Sequence, residues 1–404
     1  MHRTVEKSRG TNMATIHDPY DLVVVGGGII GCGIVDSIRG TPLRIRIVEP
    51  EPDVATGASC AAAGGINPHL GDHGHGPIDL MAERSRNLYP EWIARLSAAA
   101  GQVLGLRNAG LLQVAIDEKE RTRLVNDVLP FLLEHRIEAS WLTGDQARQR
   151  EPLLGPAVVG ALAQPRDMIV EPAEIMKAFR RVLAADDRVD FVQDRVVRVE
   201  PDGGGVDVTL ADGGILRTER VVVAAGHLSH TLLPGLAAEN FRPVKGQVLE
   251  IQAPALGGLT TQCDALVDED GQTQVVVASP YAPGRITVGV TQQVGVRDPK
   301  PTEEAQRSIL RNLRRVLPAL AEWKINGPRA GIRPGTTDGA PVLGFLDADE
   351  RVLAATGHNG LGITLAPRTA QLAARLLRGL PLSAEDFHDL RISNPDRFRT
   401  THRL

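Results

Sequence analysis

Cysteine and long apolar runs are scarce in this sequence, and each shortage excludes a class of protein. The three cysteines, Cys32, Cys60 and Cys263, lie far apart and show no paired spacing for zinc or for a redox dithiol. No apolar run reaches the roughly 18 to 20 residues that span a bilayer, and the polar N-terminal segment lacks the apolar stretch of a signal peptide. We therefore expect a cytoplasmic protein without an integral membrane segment, and a flexible N-terminus over residues 1–19.

Positive charge is not in excess either. The formal net charge of −4 provides no basic field, so a nucleic-acid partner is not expected. The composition, with 42% hydrophobic and 23% charged residues, is that of an ordinary globular protein. At 404 residues the chain exceeds the size at which one core keeps growing, which predicts two domains.

The first positive signal is "DLVVVGGGIIGCGIVDSIRG", which predicts a buried strand, a glycine turn and a helix. Gly26, Gly28 and Gly31 have the spacing GxGxxG, which allows a tight turn, close approach of a pyrophosphate and close helix packing. Glu49 ends the next strand, where a carboxylate can accept both ribose hydroxyls of an adenosine. The alternative is a plain glycine turn followed by a surface glutamate. The motif alone leaves NAD and FAD open.

Three further glycine-rich or small-residue segments suggest a flat ligand. In "GASCAAAGGINP" (57–68), small residues and the hydroxyl of Ser59 would let the main chain approach it, although a ligand-free loop is equally compatible. "VVVAAGHLS" (221–229) reads as a buried strand that runs into small residues. "GHNGLGITLAP" (357–367) leads into a helix N-terminus, which could face the anionic edge of a flavin.

The remaining chain mixes helices with antiparallel strands. "EPAEIMKAFRRVLAADD" predicts an amphipathic helix, and residues 189–226 predict a small antiparallel meander with "PDGGG" and "ADGG" turns. Residues 240–327 predict a separate, mostly antiparallel domain with one helix. In "RAGIRPGTTDGAPVLG" (329–344), the glycines and prolines predict a turn that no regular strand or helix would hold.

These segments together carry a family resemblance. From about residue 20 to 380 the chain resembles the FAD-dependent glycine oxidase and D-amino acid oxidase family, close to the thiazole-pathway glycine oxidases. The resemblance rests on "VVVGGGIIG", "GASCAAAGG", "DMIVEP", "VVVAAG", "RPVKGQ", "GRITVGVT", "AGIRPGTTDGAPVLG" and "GHNGLGITLAP", all in the family's order. It implies an α/β protein in which an α+β substrate domain interrupts a Rossmann-like FAD-binding domain of the glutathione-reductase type. The expected division is FAD-binding over 20–75, 150–235 and 328–385, substrate-binding over 76–149 and 236–327, and a C-terminal tail over 386–404.

The resemblance also assigns residues by position. The FAD contacts it implies are Gly26, Gly28, Ile29, Ile30, Gly31 and Glu49 on the ADP half, the backbone of Val196 at adenine, Ser59, Ala63, Gly64 and Gly65 at the pyrophosphate and flavin, and His358, Asn359, Gly360, Leu361, Gly362, Ile363 and Thr364 along the isoalloxazine. Arg333 falls where the family binds the substrate carboxylate, to which a guanidinium can donate two parallel hydrogen bonds. Arg329 is expected to face solvent or to brace the turn.

Three pocket positions depart from the family pattern. Gly65, Val277 and Gly360 stand where similar glycine oxidases carry a methionine, a tyrosine and a second arginine, which predicts a wider and less polar pocket. Sarcosine oxidases place an oxygen-activating lysine near the position of Thr287, so the electron acceptor stays open between oxygen and a quinone or partner protein. Lys245 could supply that charge, but a solvated loop lysine is the stronger interpretation.

The implied reaction is oxidation of the C–N bond of a small amino acid, whether a D-amino acid, glycine or an N-substituted one, to an imine by hydride transfer to flavin N5. A 2-hydroxy acid oxidoreductase with a base such as His358 is one alternative. A non-catalytic flavin electron carrier is another. His73 and His75 in "DHGHG" are interpreted as loop residues, so no metal is expected. A homo-oligomer is compatible with the sequence.

Overall fold

The structure is a computed structural model that describes residues 20–52, 57–69, 77–254, 258–269 and 272–399. The predicted flexible N-terminus, His73 and His75 lie outside these ranges. Among the described helices, none combines the length and the apolar character that crossing a membrane requires.

Strands and helices alternate along the described chain. The strands are β1 (Leu22–Val25), β2 (Ile45–Val48), β3 (Gly65–Ile66), β4 (Leu106–Arg107), β5 (Leu111–Ala115), β6 (Ser140–Thr143), β7 (Gly160–Gln164), β8 (Met168–Val170), β9 (Val189–Val192), β10 (Val196–Asp202), β11 (Gly205–Leu210), β12 (Ile215–Thr218), β13 (Arg220–Val223), β14 (Phe241–Gln252), β15 (Gln262–Glu269), β16 (Gln272–Ala282), β17 (Arg285–Gly289), β18 (Gln293–Val294), β19 (Lys324–Thr336), β20 (Val342–Phe345) and β21 (Val352–Thr356). The α-helices are α1 (Ile29–Ile38), α2 (Ala58–Ala61), α3 (Pro77–Ala100), α4 (Glu118–Arg123), α5 (Leu129–Glu134), α6 (Gly144–Arg150), α7 (Pro172–Ala184), α8 (Glu303–Val316), α9 (Gly362–Leu377) and α10 (Ala384–Ser393).

One half of the molecule is built on a mostly parallel sheet. Its strands lie in the order β20-β21-β13-β1-β2-β9, with β20 antiparallel to β21. Both faces are covered, so "LVVV" of β1 is buried throughout rather than alternating. Helix α3 lies in the segment assigned to the substrate-binding domain, yet Tyr89 and Trp92 share a buried core with Ile34 of α1. The polypeptide therefore enters the second half later than residue 76.

The other half is built on a large mixed sheet. Its strands lie in the order β18-β14-β17-β16-β15-β5-β7-β6, and β19 pairs with the free edge of β14. Helix α8 packs on one face, where Ile309 and Leu313 join a core with Cys263 and Ala265 of β15. Strand β7 belongs to this sheet although residues 150–235 were assigned to the FAD-binding domain.

The conformation of the segment around "RAGIRPGT" differs from the prediction. Instead of forming a turn, it belongs to the 13-residue strand β19, which pairs antiparallel with β14 from Phe241 to Gln252. Because β19 is an edge strand, Pro328 and Pro334 cost no ladder hydrogen bond on its open side. Lys245, interpreted as a solvated loop residue, is a buried residue of β14.

The predicted meander is present as the antiparallel sheet β10-β11-β12. The segment assigned as a C-terminal tail includes most of α10. Asp389 in that helix is buried and accepts hydrogen bonds from Arg84 of α3 and Arg368 of α9. Residues 386–399 are therefore attached to the half that is built on the mostly parallel sheet.

Candidate active site

The glycine turn after β1 forms a cradle with no room for side chains. Gly26 has a φ of +105°, and a Cβ there would lie 2.4 Å from the carbonyl oxygen of Ala224 at the end of β13. A Cβ on Gly31 would lie 2.0 Å from the carbonyl oxygen of Gly26. Both glycines are thus required by sterics, and the start of α1 can come close to a pyrophosphate.

Polar groups converge at the rim of this cradle. Glu49 Oε2 accepts a hydrogen bond of 2.7 Å from the backbone N–H of Gly27, and Ser59 Oγ accepts one of 3.1 Å from the N–H of Ile29. Ile30, by contrast, is half-buried against the core behind the turn. The adjoining recess is lined by Gly27, Gly28, Cys32, Glu49, Glu51, Gly57, Ser59, Met176, Arg180 and Phe191. Its shape and its carboxylate suit the ADP half of FAD.

Val196, which the resemblance assigns to adenine, has no described contact that links it to this recess. It begins β10 opposite Leu210, and its side chain packs in a core with Val23 and Val48. Its assignment stays a prediction.

The segment expected along the flavin lies at the start of α9. Thr364 Oγ1 donates a 3.5 Å hydrogen bond to the carbonyl oxygen of Gly65, which joins this helix to β3. Gly64 has a φ of +86°, and a Cβ there would lie 2.2 Å from the carbonyl oxygen of Val170. Ala63 precedes it as a half-buried residue. Helix α9 begins at Gly362, between the buried Leu361 and Ile363. The positive end of its dipole would favour an anionic edge of a flavin ring bound there.

His358 does not have the properties of a catalytic base. It is buried, and its Nε2 lies 3.0 Å from Thr369 Oγ1 of α9. Burial lowers its pKa to about 4, so the imidazole is a weak proton acceptor at pH 7. Its role is to anchor the turn before α9.

Asn359 holds this turn against β19. Its φ of +50° is a left-handed conformation that asparagine tolerates. Its Nδ2 donates to the carbonyl oxygens of Gly339 and Gly357 at 2.9 and 3.1 Å, and its Oδ1 accepts from the N–H of Thr336 at 3.1 Å. We refer to these bonds as the Asn359 latch. It fixes the end of β19 relative to the start of α9.

Arg333 lies just before the Asn359 latch, on the same strand. Its Nη1 donates a 3.2 Å hydrogen bond to the carbonyl oxygen of Thr291, and its guanidinium lies over Gly246, where a Cβ would be 2.4 Å from Nη2. Gly360 is adjacent, since a Cβ there would lie 3.9 Å from Arg333 Cδ. The side chain is partly exposed, yet surrounding protein desolvates the guanidinium and lowers its pKa to about 10. Within the described residues, no carboxylate forms an ion pair with it.

Arg329 occupies the same face of β19, but its guanidinium is paired with a carboxylate. Its Nη2 donates to Thr287 Oγ1 at 3.0 Å, and its Nη1 lies 3.4 Å from Glu250 Oε2. Glu250 also accepts from Arg285 and Tyr281; burial opposes ionisation, but these bonds hold its pKa at about 2. Arg329 thus braces neighbouring strands, rather than a turn.

A single face of the large sheet collects the substrate-side residues. Register places Arg329, Val248, Gly289, Val277 and Asp264 in one row across β19, β14, β17, β16 and β15. Directly opposed residues share a face, and so do alternate residues of one strand. We name this surface, with Arg333 and Gly246, the arginine face.

Gly331 connects the arginine face to the half of the molecule that contains the glycine turn after β1. It lies between the two arginines, and a Cβ there would be 2.8 Å from Ala61 Cβ of α2. The same short helix carries Ser59, which contacts the glycine cradle through Ile29. The two predicted subsites are therefore brought together at this point.

The surroundings of Gly65 differ from the predicted apolar space. A Cβ on Gly65 would lie 2.6 Å from Asn67 Nδ2 and 2.8 Å from Gln262 Oε1. These two buried amides bond to each other at 3.2 Å. Amide groups, rather than open volume, thus occupy the space beside this glycine.

Several site residues escaped the sequence analysis. They are Gly246, Thr291, Asn67 and Gln262. The alternation in "QCDALV" of β15, where Cys263 and Ala265 face the α8 core, is the signal that could have identified Gln262. Across the described residues, no group of three or more metal-ligating side chains is assembled.

Comparison with known proteins agrees with this geometry. The family model of FAD dependent oxidoreductases, DAO, matches residues 21–376. The glycine oxidase of Bacillus licheniformis is 30% identical over 370 residues, which cover 91% of this chain and 95% of that protein. The glycine oxidase of Bacillus subtilis is 27% identical over 378 residues, covering 93% and 98%. The crystal structure of glycine oxidase from Geobacillus kaustophilus superposes with a TM-score of 0.85 at 28% identity, covering 95% of this chain and 99% of that one.

These similarities extend over both halves of the molecule, so they include the glycine cradle and the arginine face alike. They confirm the expected α/β class and FAD as the cofactor. The chain therefore belongs to the FAD-dependent oxidoreductase family, as an amino acid oxidase similar to the glycine oxidases.

Proposed function

We propose that this chain oxidises the C–N bond of a 2-amino acid whose carboxylate is held by Arg333. The observation that carries the proposal is a desolvated guanidinium with no acidic partner among the described residues. Desolvation of an unpaired cation is costly, and a substrate carboxylate relieves that cost through two charge-assisted hydrogen bonds. Gly246 leaves room for the guanidinium itself, and Gly360 leaves space beside the Arg333 side chain.

The protein's contribution is orientation and charge. When bound, FAD supplies the two-electron acceptor that takes the hydride from the substrate carbon. The glycine cradle, Glu49 and Ser59 would hold its ADP half, and the N-terminus of α9 would place positive dipole beside its ring. Arg333 fixes the carboxylate, so the Cα–H of the neutral amine points in one direction. The imine product then hydrolyses to a 2-oxo acid.

The 2-hydroxy acid alternative requires a base for the hydroxyl proton. His358 would have to serve, but it is buried against Thr369 rather than turned towards Arg333. A neutral amine needs no base, because its nitrogen lone pair assists hydride departure. This difference favours amino acids over hydroxy acids.

The pocket favours substrates larger than glycine. The resemblance to glycine oxidases implies larger residues at the positions of Val277 and Gly360, and Gly360 is exposed beside Arg333. We therefore propose that D-alanine, D-proline, sarcosine or a hydroxyproline has a higher kcat/KM than glycine. A glycine kcat/KM above all of these would contradict this assignment.

The electron acceptor is oxygen, or a quinone or partner protein. Lys245 faces away from the arginine face, because it alternates with Val244 and Gly246 along β14. The cation beside Thr287 is Arg329. Hydrogen peroxide formed in air during turnover would identify oxygen as the acceptor.

An anaerobic screen tests the proposed function. The FAD-loaded chain is mixed with amino acids and with the matching 2-hydroxy acids, and loss of the flavin absorbance band is followed. Bleaching by amino acids alone is expected. Faster bleaching by hydroxy acids would favour the alternative chemistry, and a flavin that no small substrate bleaches would favour an electron carrier.

A further inference from the structure

Arg180 of α7 and Phe191 of β9 line the recess beside the glycine cradle, and the resemblance assigns neither of them to the cofactor. The Cζ atom of Arg180 lies 3.8 Å from the centroid of the Phe191 ring, so the cation covers one face of the ring. Both side chains are half-buried. Together they form a flat wall of an open recess.

Arg180 stacks on this ring although two carboxylates line the same recess. Neither Glu49 nor Glu51 forms an ion pair with it in the described structure. The carboxylate of Glu49 is bonded elsewhere, since Oε2 accepts from the N–H of Gly27 at 2.7 Å and Oε1 accepts from the N–H of Glu51 at 3.2 Å. Across the described residues, the guanidinium of Arg180 is therefore held by a stack and not by a charge pair.

The order of the strands gives the order of ligand groups along the recess. The sheet ends in the order β1-β2-β9, and the glycine cradle follows β1. Glu49 follows β2 and continues its pairing with β9, because its N–H donates to the carbonyl oxygen of Val192 at 3.0 Å. Phe191 lies opposite Ile47, which alternates with Glu49, so Phe191 and Glu49 share a face of the sheet. A dinucleotide with its pyrophosphate at the cradle and its ribose at Glu49 would place its base one strand further on, at Phe191 and Arg180.

The chemistry of the wall favours a base over a phosphate. An arginine that binds a phosphate donates hydrogen bonds in the plane of its guanidinium. A guanidinium that lies flat on an aromatic ring presents its other face, and bases stack on such planes. Glu49 and Glu51 would also repel a phosphate at this end of the recess, whereas adenine is uncharged.

We propose that Arg180 and Phe191 form a platform for the adenine ring of FAD, with the base stacked on the guanidinium. The class of ligand is a nucleotide with a purine base, and ADP and adenosine are its smaller members. The platform concerns the cofactor and not the substrate. It is therefore independent of the role proposed for Arg333.

The test measures binding of FAD, ADP and adenosine to the full chain after FAD has been removed. Isothermal titration calorimetry gives Kd for each probe. In Arg180→Leu we expect Kd to rise by about tenfold for all three, because each carries the base. Arg180→Lys should recover little, since an ammonium group is not planar. Phe191→Leu should raise the three Kd values by a smaller factor, because the guanidinium loses its support.

A matched control is Arg181→Leu, which removes the same charge from the next residue of α7. The Arg181 side chain points away from the recess, since its Nη1 donates to the carbonyl oxygen of Ala100 at 3.2 Å and to Gln102 Oε1 at 3.4 Å. Loss of this exposed charge should change Kd by no more than about twofold, because solvent and salt screen it. If a variant unfolds when FAD is removed, the rate of FAD release from the loaded protein on dilution, followed by flavin fluorescence, gives the same comparison.

The three probes also separate a base contact from a phosphate contact. A rise in Kd for FAD and ADP in Arg180→Leu, with adenosine unchanged, would overturn the platform and show that Arg180 binds a phosphate. Unchanged Kd values in Arg180→Leu, or equal changes in Arg180→Leu and Arg181→Leu, would overturn it as well. These results do not depend on which amino acid bleaches the flavin, so the platform and the proposed function can fail separately.

Discussion

Arg329 and Arg333 lie four residues apart on one face of one strand, yet they do different things. Arg329 bonds to Thr287 and Glu250 within a network that also holds Arg285 and Tyr281. Arg333 has one bond to a carbonyl oxygen and no acid beside it among the described residues. Residue type, strand and face are shared, so the difference in partners is what supports the proposal that Arg333, and not Arg329, binds the substrate carboxylate.

The most direct test of the difference between the two arginines is to replace Arg333. Arg333→Leu should lower kcat/KM by about 30-fold to 1000-fold, or about 2 to 4 kcal/mol, because carboxylate pairing and orientation are lost together. FAD content, measured by absorbance, should stay at the wild-type level, since the glycine cradle is separate. Arg333→Lys should recover little, because an ammonium cannot reproduce the planar fork. Near-normal turnover by Arg333→Leu would show that the carboxylate binds elsewhere.

A smaller perturbation moves Arg333 without removing it. Gly246→Ala places a Cβ 2.4 to 2.7 Å from three guanidinium atoms, so the side chain must shift. We expect about a tenfold loss of kcat/KM, mostly through KM, in steady-state kinetics. Gly105→Ala is the control, because a Cβ there meets no atom within 4 Å. Equal kinetics in the two variants would mean that the guanidinium position does not matter.

Removing Arg329 should have a smaller effect than removing Arg333. Arg329→Leu breaks a partly exposed ion pair, which is typically worth about 1 kcal/mol or less, and leaves Glu250 bonded to Arg285 and Tyr281. We expect kcat/KM to fall by no more than about fivefold, with a decrease of about 1 °C or less in Tm by calorimetry. A loss larger than that of Arg333→Leu would reverse the roles of the two arginines.

The smallest expected effect is a pH dependence of carboxylate binding, which should arise from Arg333 alone. Its pKa is lowered to about 10, so its charge is present at neutral pH and is lost as pH rises through that value. Propionate, a carboxylate without an amine, should bind the FAD-loaded protein about twofold more weakly at pH 10 than at pH 8. Isothermal titration calorimetry measures this, and Arg329→Leu should show the same profile. A flat profile would exclude titration of the anchoring cation.

The cofactor half was predictable from sequence because its information is local. The GxGxxG spacing, Glu49 after the second strand and the helix N-terminus at residue 362 each lie within one short segment. Their structural requirements, such as the positive φ of Gly26, concern neighbouring backbone. The family match confirms FAD, while the individual contacts, Val196 among them, stay predictions.

The substrate half was less predictable because its contacts join distant strands. Glycine and proline in "GIRPGT" suggested a turn, but pairing with β14, some 80 residues earlier in the chain, makes it a strand. The same pairing buries Lys245 and brings Gly246 under Arg333. Asp264 reaches the arginine face only through the register of β15 with β16. Sheet register sets these relationships, and no spacing motif encodes them.

The Asn359 latch has a consequence for how such an enzyme can change its substrate. One amide ties the strand that carries Arg333 to the helix that approaches the flavin, so the distance from carboxylate anchor to cofactor is set independently of the side chains on β15 and β16. We therefore expect substitutions at position 277 to change the side-chain preference while the reacting carbon keeps its alignment. The architecture separates an evolvable half of the pocket from a constant one.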